Sequence, residues 1–163
     1  GCFNSEFKDI IISVQLMDFY GKIFTINSSK INFSYRSIDL SKDYIFLSTT
    51  LKGYRKDKKL IENEIKKIKK NKEIAQPSKI KTGGSTFKNP IDQTNKKAWE
   101  LIKKHVPLNT TFGDAAISSK HSNFFVNKGN ASSKDMRNLI EFVKKNVEKK
   151  AGIKINTEIE IID

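Results

Sequence analysis

Cysteine is almost missing from this chain: Cys2 is the only one. A single thiol forms no internal disulfide framework, which fits a reducing compartment and a cytoplasmic protein. One cysteine and two histidines also leave too few ligands for a zinc cluster. Arginine is scarce, with only Arg36, Arg55 and Arg137. Base-edge readout relies on arginine forks, so sequence-specific DNA recognition is disfavoured. RNP-like aromatic clusters, zinc-finger spacing and internal repeats are lacking. No apolar run approaches the ~20 residues that span a bilayer, so no membrane insertion is expected. The opening GCFNSEFKDI has neither a leader pattern nor an initiator Met, the expectation being a fragment or a processed chain.

What the sequence does have is lysine. Its 163 residues carry a formal net charge of +13, from 31 Lys+Arg against 18 Asp+Glu. Two readings stay open: lysines spread over solvated faces, or a polyanion partner such as nucleic acid or a phosphate-bearing small molecule. The length suits one domain, or one plus part of another.

The first third reads as β-rich. Strands are expected over 8–17, 22–27 and 44–52, with a turn at Asp18–Gly21. A helix is expected over 56–72, with Leu60, Ile61, Ile65 and Ile68 on one face and lysines on the other. Pro77 and Gly83–Gly84 mark a loop, and residues 72–82 read as a linker between domains. Beyond it come a short helix over 95–105 and short strands over 113–118 and 123–127. The clearest helix spans 133–150, capped by Ser132 or Ser133 and followed by Gly152. The tail alternates as a strand, with Ile153, Ile155, Ile159 and Ile161 on one face and Glu158 and Glu160 on the other.

Four stretches could carry chemistry. In KTGGSTFKNP, glycines precede Ser85 and allow close backbone approach, while Lys81, Lys88 and Asn89 could meet an anion. The stretch is neither a P-loop, because GxxxxGK[ST] is absent, nor a nucleophile elbow, because GxSxG is absent. In FSYRSID, Tyr35–Arg36 suits an anion or a developing oxyanion, or is simply a surface stacking pair. Glu158 and Glu160 face either solvent or a cleft. His121 precedes an aromatic strand. Taken singly, none names a reaction.

Together they do. The ordered set GCFNSEFKD, FSYRS, QP…GGSTFKNP, GDAAISSKHSNFFVNKGNAS and TEIEIID resembles the UDP-N-acetylenolpyruvoylglucosamine reductase (MurB) family of peptidoglycan synthesis. The resemblance implies an α+β chain: the C-terminal part of a two-lobed FAD-binding domain over 1–72, then a small α/β domain for the UDP-sugar over 73–163. It implies FAD and NADPH as cofactors and a UDP-sugar as substrate. Ser85 would protonate the substrate carbon, Arg36 would bind its carboxylate, and Glu158 would assist. Tyr35, Lys88, Asn89 and His121 would bind substrate. Gly1, Cys2, Glu6 and Gly84 would contact flavin, although Phe3 and Asn4 stand where the family usually has Tyr and Gly. The path from residue 36 to residue 85 looks like the shorter type in the family. The family's N-terminal glycine-rich flavin loop is absent, so this chain alone is expected to be inactive. The competing expectation is a non-enzymatic basic module that binds nucleic acid or another polyanion.

Overall fold

A computed structural model describes residues 5–162. The chain forms two compact units, Gly1–Leu60 and Ile61–Asp163.

In the first unit, β1 (Ile11–Met17) lies between β2 (Ile23–Asn27) and β5 (Ile45–Leu51), antiparallel to both. The Asp18 carboxylate accepts hydrogen bonds from the N–H groups of Tyr20 and Lys22, which closes the expected turn. A two-residue hairpin, β3 (Phe33–Ser34) and β4 (Ser37–Ile38), carries Tyr35 and Arg36 at its tip. The buried core is small: Val14, Leu16 and Ile31, flanked by residues such as Phe24 and Tyr44, whose rings meet edge to face at 5.1 Å. Every residue of β5 is exposed, including Phe46 at 50%.

Helix α1 (Lys58–Ala75) is capped by Asp57, whose carboxylate accepts from the N–H groups of Lys59 and Leu60. One expectation changes here. The helix runs past residue 72 to Ala75, because KNKEIA holds no breaker before Pro77. The segment between helix and strand is therefore residues 76–80, shorter than the expected 72–82 linker. The apolar stripe of Leu60, Ile61, Ile65 and Ile68 is also entirely exposed.

The second unit is built on a four-stranded antiparallel sheet in the order β6-β9-β8-β7: Lys81–Ser85, Phe124–Asn127, Ala115–Ile117 and Thr111–Phe112. The expected strand over 113–118 narrows to β8, and β7 precedes it across a turn at Gly113–Asp114. Helices α2 (Ala98–His105) and α3 (Ser133–Ala151) bury Leu101, Ile102, Leu139, Ile140, Val143 and Val147 in one core with Ile117, Phe125 and Phe87. Both helices follow the sequence pattern. Ser132 caps α3 by accepting from the Asp135 N–H, and the Asp135 carboxylate accepts in return from the Ser132 N–H and hydroxyl. Gly152 ends the helix in the left-handed region, φ 67.

The tail departs from the expected strand. It makes one antiparallel bridge, Phe87 with Thr157, flanked by hydrogen bonds from Lys88 N–H to Asn156 C=O (2.9 Å) and from Glu158 N–H to Thr86 C=O (2.8 Å). Ile153, Ile155 and Ile159 pack on the core as the alternation predicts, whereas Ile161 stays 42% exposed. The ladder stops because the bulge at Gly83–Gly84 interrupts the edge along which the tail would pair.

Candidate active site

The segment read as a glycine loop is strand β6, with a bulge that its sequence explains. Lys81 and Thr82 pair with Asn127 and Val126; the register then shifts and Ser85 pairs with Phe124. The extra residue fits because Gly84 adopts φ +87, which side-chain-bearing residues rarely take. Thr82 braces the distortion. Its hydroxyl donates to the Phe125 carbonyl at 2.7 Å and accepts from the Gly84 N–H at 3.2 Å. Among the described residues a Cβ at Gly84 would meet nothing within 4 Å, so they leave space beside the backbone just before Ser85. Ser85 itself is half-buried.

The residues after Ser85 are held on both sides. Thr86 is 2% exposed; its N–H donates to the Asn123 carbonyl at 2.8 Å, and its carbonyl accepts from the Glu158 N–H. Glu158 therefore enters beside the residue that follows Ser85. It is half-buried while Glu160 is exposed, so burial separates two carboxylates that the alternation treated alike. Asn89 is also half-buried, and its side-chain oxygen accepts from the Ala98 N–H at 3.0 Å, tying the loop after Pro90 to the start of α2. Lys88 is half-buried at the bridge, and Lys81 lies at the other end of β6, opposite Asn127.

His121 packs edge-on to Phe124 at 4.8 Å and against Trp99 at 6.2 Å. Its Nδ1 accepts from the Asn123 N–H, which puts the ring proton of the neutral form on Nε2. Burial holds its pKa below the ordinary 6.5. Folding therefore favours the neutral ring. The unfolded chain takes up the proton at higher pH, so this contribution to stability is complete above about 6.5 and declines as pH falls through that value. A proton NMR titration is expected to place the His121 midpoint below 6.5; a midpoint at or above it would contradict the burial argument.

Tyr35 and Arg36 lie in the first unit. Arg36 has φ 56, unusual for a residue other than glycine, and its guanidinium sits over the Tyr35 ring at 5.7 Å. Glu6 is exposed and pairs with Lys8 at 2.6 Å, which raises the Lys8 pKa. Gly1 and Cys2, expected at the flavin, lie outside the described residues. Among the described residues no cluster of His, Cys, Asp or Glu could hold a metal, and no helix is long and apolar enough to cross a membrane.

Sequence reasoning quoted Asn123 within a motif but gave it no role, and it passed over Thr82 and Thr86. The available signal was a lone amide directly before the apolar run FFV.

Fold and site together define a class: an α+β chain whose second unit presents a strand-borne hydroxyl and a carboxylate from adjoining backbone, an arrangement suited to moving protons. The chain belongs to the UDP-N-acetylenolpyruvoylglucosamine reductase family, whose C-terminal domain model matches residues 76–162. It is 61% identical over 162 residues to the UDP-N-acetylenolpyruvoylglucosamine reductase of Pelagibacter ubique, covering 99% of this chain and 54% of that protein. It is 40% identical to the Rickettsia prowazekii reductase, with the same coverage. The crystal structure of the Thermus caldophilus reductase (MurB) superposes with a TM-score of 0.78 at 27% identity, covering 99% of this chain and 57% of that one. The chain thus spans about half the length of the curated relatives it matches.

Proposed function

We propose that this chain is the C-terminal portion of a cytoplasmic flavoenzyme that reduces the enolpyruvyl group of a UDP-N-acetylglucosamine derivative to UDP-N-acetylmuramate for peptidoglycan synthesis. One observation carries the reading: the bridge between Phe87 and Thr157 brings Glu158 beside the segment that bears Ser85. The name of these relatives supplies the substrate class.

FAD, reduced by NADPH, would supply a hydride when bound. The open space at Gly84 fits a planar group approaching that backbone. Ser85 gives its hydroxyl proton to the carbon adjacent to the one that takes up the hydride, and recovers a proton from solvent. Arg36 binds the substrate carboxylate and stabilises the negative charge that builds there. Glu158 assists the proton transfer. Tyr35, Lys88, Asn89 and His121 bind the remainder of the substrate, and Gly1, Cys2 and Glu6 contact flavin. Residues 1–72 complete a flavin domain and 73–163 form the substrate domain.

The part of the relatives' length beyond this chain is needed to hold the flavin. The exposed apolar residues of β5 and α1 support that view, since solvated faces of this kind normally pack against something. The isolated chain is expected to retain little flavin after gel filtration, judged by the visible spectrum. Tight stoichiometric binding would refute that part of the proposal. The reductase reading itself is tested by replacing Ser85 in the full-length polypeptide and timing the two half-reactions separately.

A further inference from the structure

Asn123 is 5% exposed, among the few buried polar residues of the described chain. All three of its backbone and side-chain hydrogen-bonding directions toward residues 86–87 are used. Its carbonyl accepts from the Thr86 N–H at 2.8 Å. Its side-chain oxygen accepts from the Phe87 N–H at 3.0 Å, and its side-chain amide donates to the Phe87 carbonyl at 2.8 Å. An amide that both accepts from and donates to one residue's backbone mimics a strand neighbour, and it does so where β9 has not yet begun. Only Thr86 separates the residue it grips from Ser85, and the Thr86 carbonyl is the group that receives the Glu158 N–H.

We infer that Asn123 is a positioning residue that sets Ser85 and Glu158 in register with each other. This rests on the proton-transfer role proposed for those two residues. The physical reason is the shared peptide: shifting residues 86–87 moves the serine on one side and the glutamate on the other. A serine hydroxyl is a weak acid, so its delivery of a proton depends on placement more than on acidity. The core fixes the Phe87 ring, and the tail bridges the backbone on one side at Thr157. The two hydrogen bonds with the Asn123 side chain use Phe87's own N–H and carbonyl and hold that backbone from the other side. His121 extends the support, because its Nδ1 accepts from the Asn123 N–H.

The test uses the full-length flavin-loaded polypeptide. Asn123→Asp preserves the shape and the acceptor for the Phe87 N–H but replaces the donor to the Phe87 carbonyl. Reoxidation of reduced flavin by the enolpyruvyl substrate is expected to slow about tenfold or more. The change should fall on kcat with KM within about twofold, because the residue orients rather than binds. Reduction by NADPH should be unchanged. If both half-reactions slow together, or neither does while Ser85→Ala still cripples reoxidation, the positioning role is wrong. If Ser85→Ala leaves reoxidation intact, the proton-transfer reading fails first and takes this inference with it. A second measurement needs no variant. Hydrogen exchange of the unaltered protein should show the Phe87 amide among the slowest over residues 84–90. Exchange as fast as that of the exposed Ile91 would overturn the clamp whatever the variant's fate.

Discussion

Ser85→Ala, made in the full-length polypeptide, is expected to slow flavin reoxidation by the enolpyruvyl substrate about 10²–10⁴-fold. Flavin reduction by NADPH should proceed at its original rate. The asymmetry follows from where the hydroxyl acts. Hydride arriving at one alkene carbon leaves negative charge that spreads toward the substrate carboxylate, and the neighbouring carbon must then take a proton. Reduction by NADPH needs no proton at that carbon. The substitution removes a single oxygen atom from a half-buried site, and the strand carrying it is fixed by Thr82, Asn123 and the tail, so the fold should persist. Stopped-flow absorbance of the flavin separates the two steps. Equal slowing of both would remove Ser85 from the donor role.

The largest stability effect is expected at Phe87. Its side chain is 1% exposed and meets Phe125 edge to face at 5.7 Å, inside the core shared by α2, α3 and the sheet. Phe87→Ala should cost about 3–5 kcal/mol through lost burial and the cavity left behind. Phe87→Leu keeps most of the volume and should cost less than about 1.5 kcal/mol. Denaturant titration followed at Trp99, the one tryptophan of the chain, reads the difference. If the alanine variant loses under 1 kcal/mol, Phe87 is not the keystone its burial implies. The same residue carries the bridge to Thr157, so the alanine variant should also loosen the approach of Glu158 to the segment bearing Ser85.

Helices α2 and α3 were legible in the sequence, although α2 begins at Ala98 rather than at residue 95. A helical period of apolar residues, Ser132 at the start and Gly152 at the end specify α3 locally, and the structure follows. The same holds for Ala98, Leu101 and Ile102 in α2. The period also predicted α1, but not where its apolar stripe goes: periodicity states that a face is apolar and leaves open what covers it. The tail shows a related limit. Its alternation put three isoleucines on the core but said nothing of how far the pairing runs, which depends on the edge offered by a strand some seventy residues away.

The motifs of the chain determined its family and nominated its candidate chemical residues, because those depend on residue type and order. The Lys81–Pro90 stretch read as a loop because two glycines usually break a strand. Only the tertiary structure made it a bulged strand, since partners on β9 supply the hydrogen bonds that override local propensity. The same cause separated Glu158 from Glu160 and gave Asn123 its place. Burial and pairing depend on contacts between residues distant along the chain, and no local pattern encodes them.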